Sequence, residues 1–454
     1  MRRTAAEATR RGARRAARTT LALSALVALL ASACGAGPGR APDTSSSDGG
    51  TDGATSDAGI DGGGGARFDG GAEAGMDADA SCDDGDGDGH ASAACGGEDC
   101  DDGDAWIHPG QVDGLWRLQT LDEMGREPVV TGDSSIEVDA VGAVHVTYNE
   151  EWDQDLVYAT KLEDEWTFET VDSVGWNGQY NSLELDVEGV PHVSYYGAPP
   201  QGLRYATKVD GEWVVEVLDS GRLADLIGYW TSLALDVSGA VHISYANATD
   251  GELRYATDTS GEWSITVLDP DDGPRSSIVV DAAGAVHLVY GPGGSLVYAS
   301  NVDGDWTFET IDDGGFSSFA LDAAGVAHVG YQSSILGGQL RYATNEGGAW
   351  SIEQVDPGIH VDTSLRVAPS GTVHIVYRDD EDGDLVYASG PDGAWVTEVV
   401  DSEGDTGHFT SLALDPDGVP HVTYYDATLG DLRYAYRGGP DGVDQDCDGV
   451  DGVD

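Results

Sequence analysis

Short segments of alternating hydrophobic and polar residues recur along positions 115–438, with a period of about 46 residues. In the second copy they are SLELD (182–186), HVSYY (192–196), LRYAT (203–207) and WVVEVLD (213–219). Period-two alternation, rich in β-branched and aromatic residues and bounded by Gly/Asp turns, predicts β-strands and excludes helical solenoids. Each copy therefore supplies four short strands.

Each of the seven copies carries one tryptophan, one histidine and one tyrosine at matching positions. The tryptophans are Trp116, Trp166, Trp213, Trp263, Trp306, Trp350 and Trp395. The histidines are His145, His192, His242, His287, His328, His374 and His421. The tyrosines are Tyr158, Tyr205, Tyr255, Tyr298, Tyr342, Tyr387 and Tyr434. Four-stranded repeats of this length are typical of β-propeller blades.

The phase of the repeat predicts how the ring closes. The tyrosine and tryptophan strands of one blade are hairpin partners. However, the last tyrosine strand (432–436) has no tryptophan strand after it, and the first tryptophan strand (116–122) has no tyrosine strand before it. We therefore expect the N-terminal strand to complete the seventh blade as a velcro closure, which brings Gly114 close to Gly438. The predicted fold is all-β: a seven-bladed propeller inserted in a small, irregular domain linked by disulfides and calcium.

The repeats resemble the sialidase-like superfamily of propellers, with BNR-type repeats, in architecture over about 115–437. The Asp-box S-x-D-x-G-x-T-W is replaced by a different turn, as in SLALDVSGAVHISY (232–245). That family's enzymes need three arginines converging on a carboxylate beside a Tyr/Glu pair. Four arginines, Arg204, Arg254, Arg341 and Arg433, recur at one strand position. Because nothing marks a separate Tyr/Glu nucleophile, we predict no catalytic residues and keep a sialidase-like glycoside hydrolase as the alternative.

Seven equivalent histidines indicate structure, because a catalytic site is a single asymmetric constellation. We expect each histidine to hydrogen-bond backbone near the preceding Asp-x-x-Gly turn. The alternative is one ligand site per blade.

Two acidic segments, 81–114 and 439–454, flank the propeller as the front and back halves of one metal-binding motif. The candidate ligands are Asp84, Asp86, Asp88, Asp99, Asp101, Asp102, Asp104, Asp444, Asp446, Asp448, Asp451 and Asp454. Closely spaced carboxylates with a glycine turn suit Ca²⁺. The back half resembles a thrombospondin type 3 calcium repeat. Together, DGDGDGH, EDCDDGDAWIHPG and DGVDQDCDGVD resemble the MopE-type metal-binding motif of bacterial surface proteins. Because copper binding is associated with that family, His90, Trp106 and His108 are candidate copper ligands, but bridged cysteines would leave no thiolate for copper, so calcium is the metal that we expect. A solvated acidic run is the alternative.

The chain has five cysteines. Cys34 belongs to the N-terminal export segment described below, and the other four are Cys82, Cys95, Cys100 and Cys447. In an exported protein they predict two disulfides, and all three pairings stay open. If all four cysteines pair, Cys447 joins one of the front three. One bridge therefore ties the two ends of the propeller together in every case.

The N-terminus predicts export. An arginine-rich segment precedes an apolar run at 21–30 and then Ala31-Ser-Ala-Cys34. Residues 1–33 resemble a bacterial lipoprotein signal peptide with lipidation at Cys34; an ordinary signal peptide is the alternative. Gly35 favours the outer membrane, by resemblance to Gram-negative lipoproteins. Residues 34–80, rich in Gly, Asp, Ser and Ala, predict a disordered linker that holds the folded part off the membrane.

The charge excludes several partners. The formal net charge is −60, from 22 Lys+Arg against 82 Asp+Glu. Nucleic acid and anionic lipid surfaces would be repelled, so contact with a membrane is expected only through the lipid anchor.

Residues that break the repeat lie in loops that should share one face of the disc, and these are the candidate ligand contacts. They are Trp152, Trp176, Tyr180, Tyr196, Tyr229, Trp230, Phe316, His360, His408 and Phe409. Aromatic side chains with acidic and amide neighbours suit carbohydrate or protein recognition. The sequence therefore predicts a non-enzymatic, calcium-binding cell-surface lipoprotein whose propeller binds an extracellular glycan or protein. A purely structural surface component is the other alternative.

Overall fold

The computed structural model describes residues 116–122, 133–150, 154–162, 165–222, 225–271, 273, 275–334, 338–390 and 395–438. Within these residues the chain forms seven four-stranded antiparallel sheets. This confirms the predicted all-β, seven-bladed propeller. No helix in the described part is long and apolar enough to cross a membrane.

Each blade is a meander of consecutive strands. Blade 1 comprises β2 (Ser134–Val138), β3 (Val144–Glu150), β4 (Asp155–Leu162) and β5 (Glu165–Asp172). Blade 2 comprises β6 (Trp176–Leu185), β7 (Pro191–Ala198), β8 (Gly202–Val209) and β9 (Glu212–Ser220). Blade 3 comprises β10 (Ile227–Leu235), β11 (Val241–Asn247), β12 (Glu252–Thr257) and β13 (Ser264–Asp269). Blade 4 comprises β14 (Ser276–Val280), β15 (Val286–Tyr290), β16 (Ser295–Ser300) and β17 (Thr307–Asp313). Blade 5 comprises β18 (Gly315–Leu321), β19 (Ala327–Gln332), β20 (Leu340–Thr344) and β21 (Ser351–Asp356). Blade 6 comprises β22 (His360–Val367), β23 (Val373–Asp379), β24 (Asp384–Gly390) and β25 (Val396–Asp401). Blade 7 comprises β26 (His408–Leu414), β27 (Pro420–Asp426), β28 (Asp431–Arg437) and β1 (Trp116–Asp122).

The first strand of each blade lies at the axis, and the ring of inner strands is continuous. Each inner strand contacts the next, and the last, β26, contacts the first, β2. The outer strand of blade 7 is β1, which pairs antiparallel with β28 from Trp116↔Arg437 to Asp122↔Leu432. The seventh sheet is thus built from both ends of the repeat region.

Neighbouring blades pack through the repeated aromatic residues. The tryptophan of each outer strand lies edge-on against the tyrosine of the preceding blade, with ring centroids 5.2–5.6 Å apart in all seven pairs. The pair Trp166–Tyr434 joins blade 1 to blade 7. Edge-to-face pairs contribute about 0.5–1.5 kcal/mol each beyond area burial, so these contacts stabilise the ring at every blade boundary.

A second repeated contact ties each blade to the one before it. The aspartate that ends an outer strand accepts a hydrogen bond from a buried tyrosine of the next blade, as in Tyr195 Oη to Asp172 Oδ2 at 2.9 Å. The same bond recurs for all seven blades. Arg204, Arg254, Arg341 and Arg433 also reach these aspartates. The recurrent arginines therefore lie between blades and do not converge on the axis.

The repeated histidines are structural, although the expected backbone partner is wrong. Each Nδ1 shares a hydrogen bond of 2.5–2.6 Å with the blade's tyrosine hydroxyl. In six blades Nε2 lies 3.3–3.8 Å from the Asp-x-x-Gly carboxylate. Blade 6 has Ala368 in place of that aspartate. There, burial, assisted by the charge of Arg437, lowers the pKa of His374 to about 4.

Candidate functional site at the mouth of the axis

Seven equivalent residues surround one end of the axis, each just before the regular part of an inner strand. They are Asp133, Tyr180, Trp230, Arg275, Phe316, Asp362 and Phe409. We call this set the mouth ring. The repeat makes the positions equivalent, whereas the side chains differ in charge and size. The ring is therefore an asymmetric constellation on a symmetric scaffold.

The backbone of the mouth ring is strained in four blades. Tyr180, Trp230, Asp362 and Phe409 have φ between +51° and +54°. Each lies where the pairing with the second strand shifts register, which is a β-bulge. Left-handed backbone costs a bulky residue about 1–3 kcal/mol, and such strain clusters at ligand sites. The bulge turns these side chains out of the alternation of the strand.

Two aspartates of the mouth ring fix the residue beside them. Asp133 Oδ2 accepts a hydrogen bond from the backbone N–H of Tyr180 at 3.0 Å. Asp362 Oδ2 accepts one from the N–H of Phe409 at 3.2 Å. In both cases the partner belongs to the next blade. In each pair, the carboxylate of one blade orients the aromatic residue of the next blade.

The mouth ring opens into a polar cavity of about 160 Å³ on the axis, lined by Asp133, Arg275, Asp362 and Phe409 with the hydroxyl and amide residues that follow. Arg275 Nη1 lies 3.8 Å from Asp362 Oδ1. Burial raises the pKa of Asp133, opposed by the N–H of Tyr180 and the charge of Arg275. The cavity thus presents two carboxyl groups and one guanidinium within a narrow space.

An aromatic cluster borders this cavity on the side of blades 2 and 3. The ring of Tyr229 lies 4.8 Å from Tyr180, 4.8 Å from Tyr196 and 5.9 Å from Trp230. Tyr180 and Trp230 are 5.8 Å apart. Tyr196 is buried, whereas the other three rings are partly exposed. The cluster therefore offers a firmly packed apolar surface beside the charged cavity.

Gly228 gives the cluster its position. Its φ is +92°, and a Cβ there would lie 2.6 Å from the backbone nitrogen of Leu203. Only glycine allows this close approach, which places Tyr229 and Trp230 over the preceding blade.

A second group of charged residues lies further along the axis. Arg366 Nη2 is 3.0 Å from Glu137 Oε1, and Glu184 is close enough to interact with both. Burial raises the pKa of Glu137, and burial together with the charge of Glu137 raises the pKa of Glu184 to about 8.

Sequence reasoning missed these residues and the charged mouth-ring residues. The available signal was the repeat itself, because the other blades carry Ala234, Val279, Ala320 and Ala413 at this position.

The predicted ligand residues separate into several places. Tyr180, Tyr229 and Trp230 meet in the aromatic cluster. The side chain of Trp176 is 49% exposed at the start of β6, and His408 Nε2 lies 2.9 Å from Asp405. His360 is fully buried with Nε2 2.8 Å from Asp356 Oδ1, so its side chain is not part of an exposed ligand face.

The predicted metal-binding and lipidated residues lie outside the described residues, as do all five cysteines and Trp152. Of Phe316, only the backbone is described. Within the described ranges no group of three His, Cys, Asp or Glu side chains could hold a metal ion.

No protein-family model matches the chain, and no curated protein matches it significantly. Several solved structures match the chain in fold. Hydrazine synthase from Kuenenia stuttgartiensis is 10% identical, with a TM-score of 0.50 over 68% of this chain and 97% of that one. An ulvan lyase of polysaccharide lyase family PL25 is 12% identical, with a TM-score of 0.47 over 71% of this chain and 93% of that one. The Aleuria aurantia lectin in complex with Fucα1-6GlcNAc is 13% identical, with a TM-score of 0.43 over 61% of this chain and 98% of that one. At 10% identity, the similarity to hydrazine synthase is one of fold alone.

Proposed function

We propose that this protein is a non-enzymatic, calcium-binding cell-surface lipoprotein whose propeller binds an extracellular glycan at the mouth of its axis. One observation carries the glycan-binding part of the proposal. The aromatic cluster of Tyr180, Tyr229 and Trp230 adjoins a cavity that holds Asp133, Arg275 and Asp362.

The two halves of this site match the two faces of a sugar ring. Aromatic rings offer an apolar surface and polar tips, which suits the C–H face of a pyranose. Carboxylates accept hydrogen bonds from hydroxyl groups, and a guanidinium donates to ring, hydroxyl or carboxylate oxygens. Because the chain carries a formal net charge of −60, a neutral glycan is favoured over a highly anionic one.

The architecture of the mouth supports binding by a preformed surface. Strained, bulged backbone is retained at four positions around the cavity, and the N–H groups of two of them, Tyr180 and Phe409, are held by aspartates of the preceding blade. Preorganised side chains lose little conformational entropy when a ligand docks, so affinity is gained without rearrangement.

A polysaccharide-degrading enzyme is the second candidate, favoured by the charged group deeper in the axis. Glu184, whose pKa is raised to about 8, would be protonated at neutral pH and thus able to donate a proton. Glu137, paired with Arg366, would be the second carboxyl group beside it. Release of reducing ends or unsaturated products from a bound glycan would favour this candidate, and Glu184→Gln should then abolish turnover without abolishing binding.

A glycan array with the chain from residue 35 onward, in millimolar-range calcium, tests the main proposal. We expect discrete hits whose affinity falls about 10–100-fold in Trp230→Ala and Tyr229→Ala, because well-packed aromatic residues dominate binding energy. Phe168→Ala, which removes a 50% exposed ring from the outer strand β5, is the matched control and should leave binding unchanged. A blank array would reject the glycan and leave a protein partner or a structural surface role.

A further inference from the structure

Four of the blade boundaries contain an internal arginine that fills a slot beside the preceding blade. In each slot the aspartate that ends an outer strand receives the arginine of the next blade's third strand. Arg204 Nη1 lies 2.6 Å from Asp172, Arg254 Nη1 lies 2.7 Å from Asp219, and Arg433 Nη1 lies 3.4 Å from Asp401. Arg341 contacts Asp312 in the same way. The slot is therefore a repeated receptor for a guanidinium.

The slot between blades 3 and 4 lacks this arginine. Val297 stands at the arginine position, paired with Thr310 of the outer strand just as Arg254 is paired with Val267. The rest of the receptor is present. Asp269 Oδ2 accepts a hydrogen bond from Tyr290 Oη at 3.1 Å, and its Oδ1 accepts one from the N–H of Asp271. Within the described part of the chain Asp269 has no cationic partner.

An open cavity of about 390 Å³ occupies this place. Asp269 supplies a carboxylate to its wall, and Pro292, Val297 and the 48% exposed ring of Phe308 supply apolar surface. The boundary between blades 5 and 6, which also lacks the arginine, differs. There His360 is fully buried and places Nε2 2.8 Å from Asp356, so the chain fills that slot itself. The slot beside Asp122 and Val157 borders residues outside the described ranges.

We propose that the slot between blades 3 and 4 binds a guanidinium group on an apolar stem, supplied by a ligand. The carboxylate of Asp269, already oriented by Tyr290, would receive the guanidinium as its four counterparts do. Phe308 and Pro292 would flank the stem, because a planar guanidinium and its methylenes pack favourably on aromatic and apolar surfaces. Two kinds of ligand carry such a group: a small free guanidine and the arginine side chain of a polypeptide.

Saturation-transfer NMR on the full chain tests this with n-butylguanidinium, and with n-butylammonium as the matched cation. We expect transfer to n-butylguanidinium at low-millimolar concentration and at least a tenfold weaker response to n-butylammonium. Two variants should abolish the response: Asp269→Asn removes the carboxylate, and Val297→Arg fills the slot with the chain's own guanidinium. Val297→Arg should also raise the melting temperature, which separates a filled slot from a damaged fold.

A second arm identifies the source and the generality of the site. Acetyl-Gly-Arg-Gly-amide that binds more tightly than n-butylguanidinium would indicate an arginine of a polypeptide, whereas weaker binding would indicate a small guanidine. Arg254→Val should open a second slot and increase the response to n-butylguanidinium in the Val297→Arg background. Equal response to both cations, or an unchanged response in Val297→Arg, would overturn the proposal. None of these residues belongs to the mouth ring, so this result is independent of glycan binding.

Discussion

The strained backbone of Trp230 makes an unusual prediction about stability. At most strand positions alanine is more stable than glycine by about 0.5–1 kcal/mol, because glycine has more freedom to lose on folding. Trp230 has φ of +51°, where a Cβ costs about 1–2 kcal/mol and glycine has no such cost. The cost of a Cβ in this left-handed conformation exceeds the usual advantage of alanine over glycine in a strand. Trp230→Gly should therefore be more stable than Trp230→Ala by about 0.5–1 kcal/mol.

Comparing two variants at one site isolates the backbone, since both remove the whole indole and its contacts with Tyr180 and Tyr229. The measurement is the midpoint of urea unfolding for both variants at equal slope. The control is the same pair of substitutions at Val214, in the outer strand β9, where φ is not positive and the side chain is 41% exposed. There the order should reverse, with alanine the more stable.

The two stability orders must be opposite for the reasoning to stand. If Trp230→Gly unfolds at the same or a lower urea concentration than Trp230→Ala, the bulge costs nothing and the mouth ring holds no strain. Loss of glycan binding should be equal in the two variants, because both lack the aromatic surface.

The remaining predictions address the blade boundaries, the axis and the regions outside the described residues. Arg204→Val leaves the buried carboxylate of Asp172 without its cation and should destabilise the fold by about 3–5 kcal/mol in chemical unfolding. Lys208→Ala, which breaks an exposed pair with Glu169, should cost at most about 1 kcal/mol. Equal losses of stability in the two variants would contradict the burial argument. The pKa of Glu184 is raised from 4.5 to about 8 in the folded protein, so the native state binds the extra proton and stability should fall as pH rises between these values. Glu184→Gln should flatten that part of the stability–pH curve, and an unchanged slope would exclude Glu184 as its source. If calcium organises segments 81–114 and 439–454, EDTA should lower the melting temperature of the chain from residue 35 onward, and magnesium should not restore it. If Cys34 carries the lipid, Cys34→Ala should move the protein from the membrane fraction to the soluble fraction, and retention in the membrane would rule out that anchor.

The regular features of the fold could be read from the sequence because every blade repeats them. The alternation of strands such as SLELD and HVSYY, and the phase of the first and last repeats, are local patterns. They predict the number of blades and their four strands. The recurrence of the tryptophans and tyrosines predicts that they pack inside the propeller. It does not predict which blade each tryptophan contacts.

The charged residues of the axis escaped sequence reasoning for a geometric reason. Asp133, Arg275 and Asp362 are far apart in the chain, and each looks like an ordinary loop residue. They meet because the ring brings one position of every blade to the same mouth. Glu137, Glu184 and Arg366 escaped in the same way, and a comparison of equivalent positions between repeats would have revealed them.

His360 shows the opposite failure. His360 breaks the repeat and precedes the regular part of an inner strand, so the sequence predicts that it lies on the exposed ligand face. The structure places it in a slot that arginine fills elsewhere. A departure from the repeat can therefore repair a boundary between blades as well as mark a ligand site.

The class of fold, the number of blades and the identity of the repeated packing residues follow from the amino-acid sequence alone, because they depend on short-range alternation and on a fixed period. The folded structure is needed to show which side chains share the axis, which slots between blades are filled and where the backbone is strained. Those properties depend on how the blades meet, which brings together residues as distant in the chain as Ser134 and Thr423, 289 positions apart.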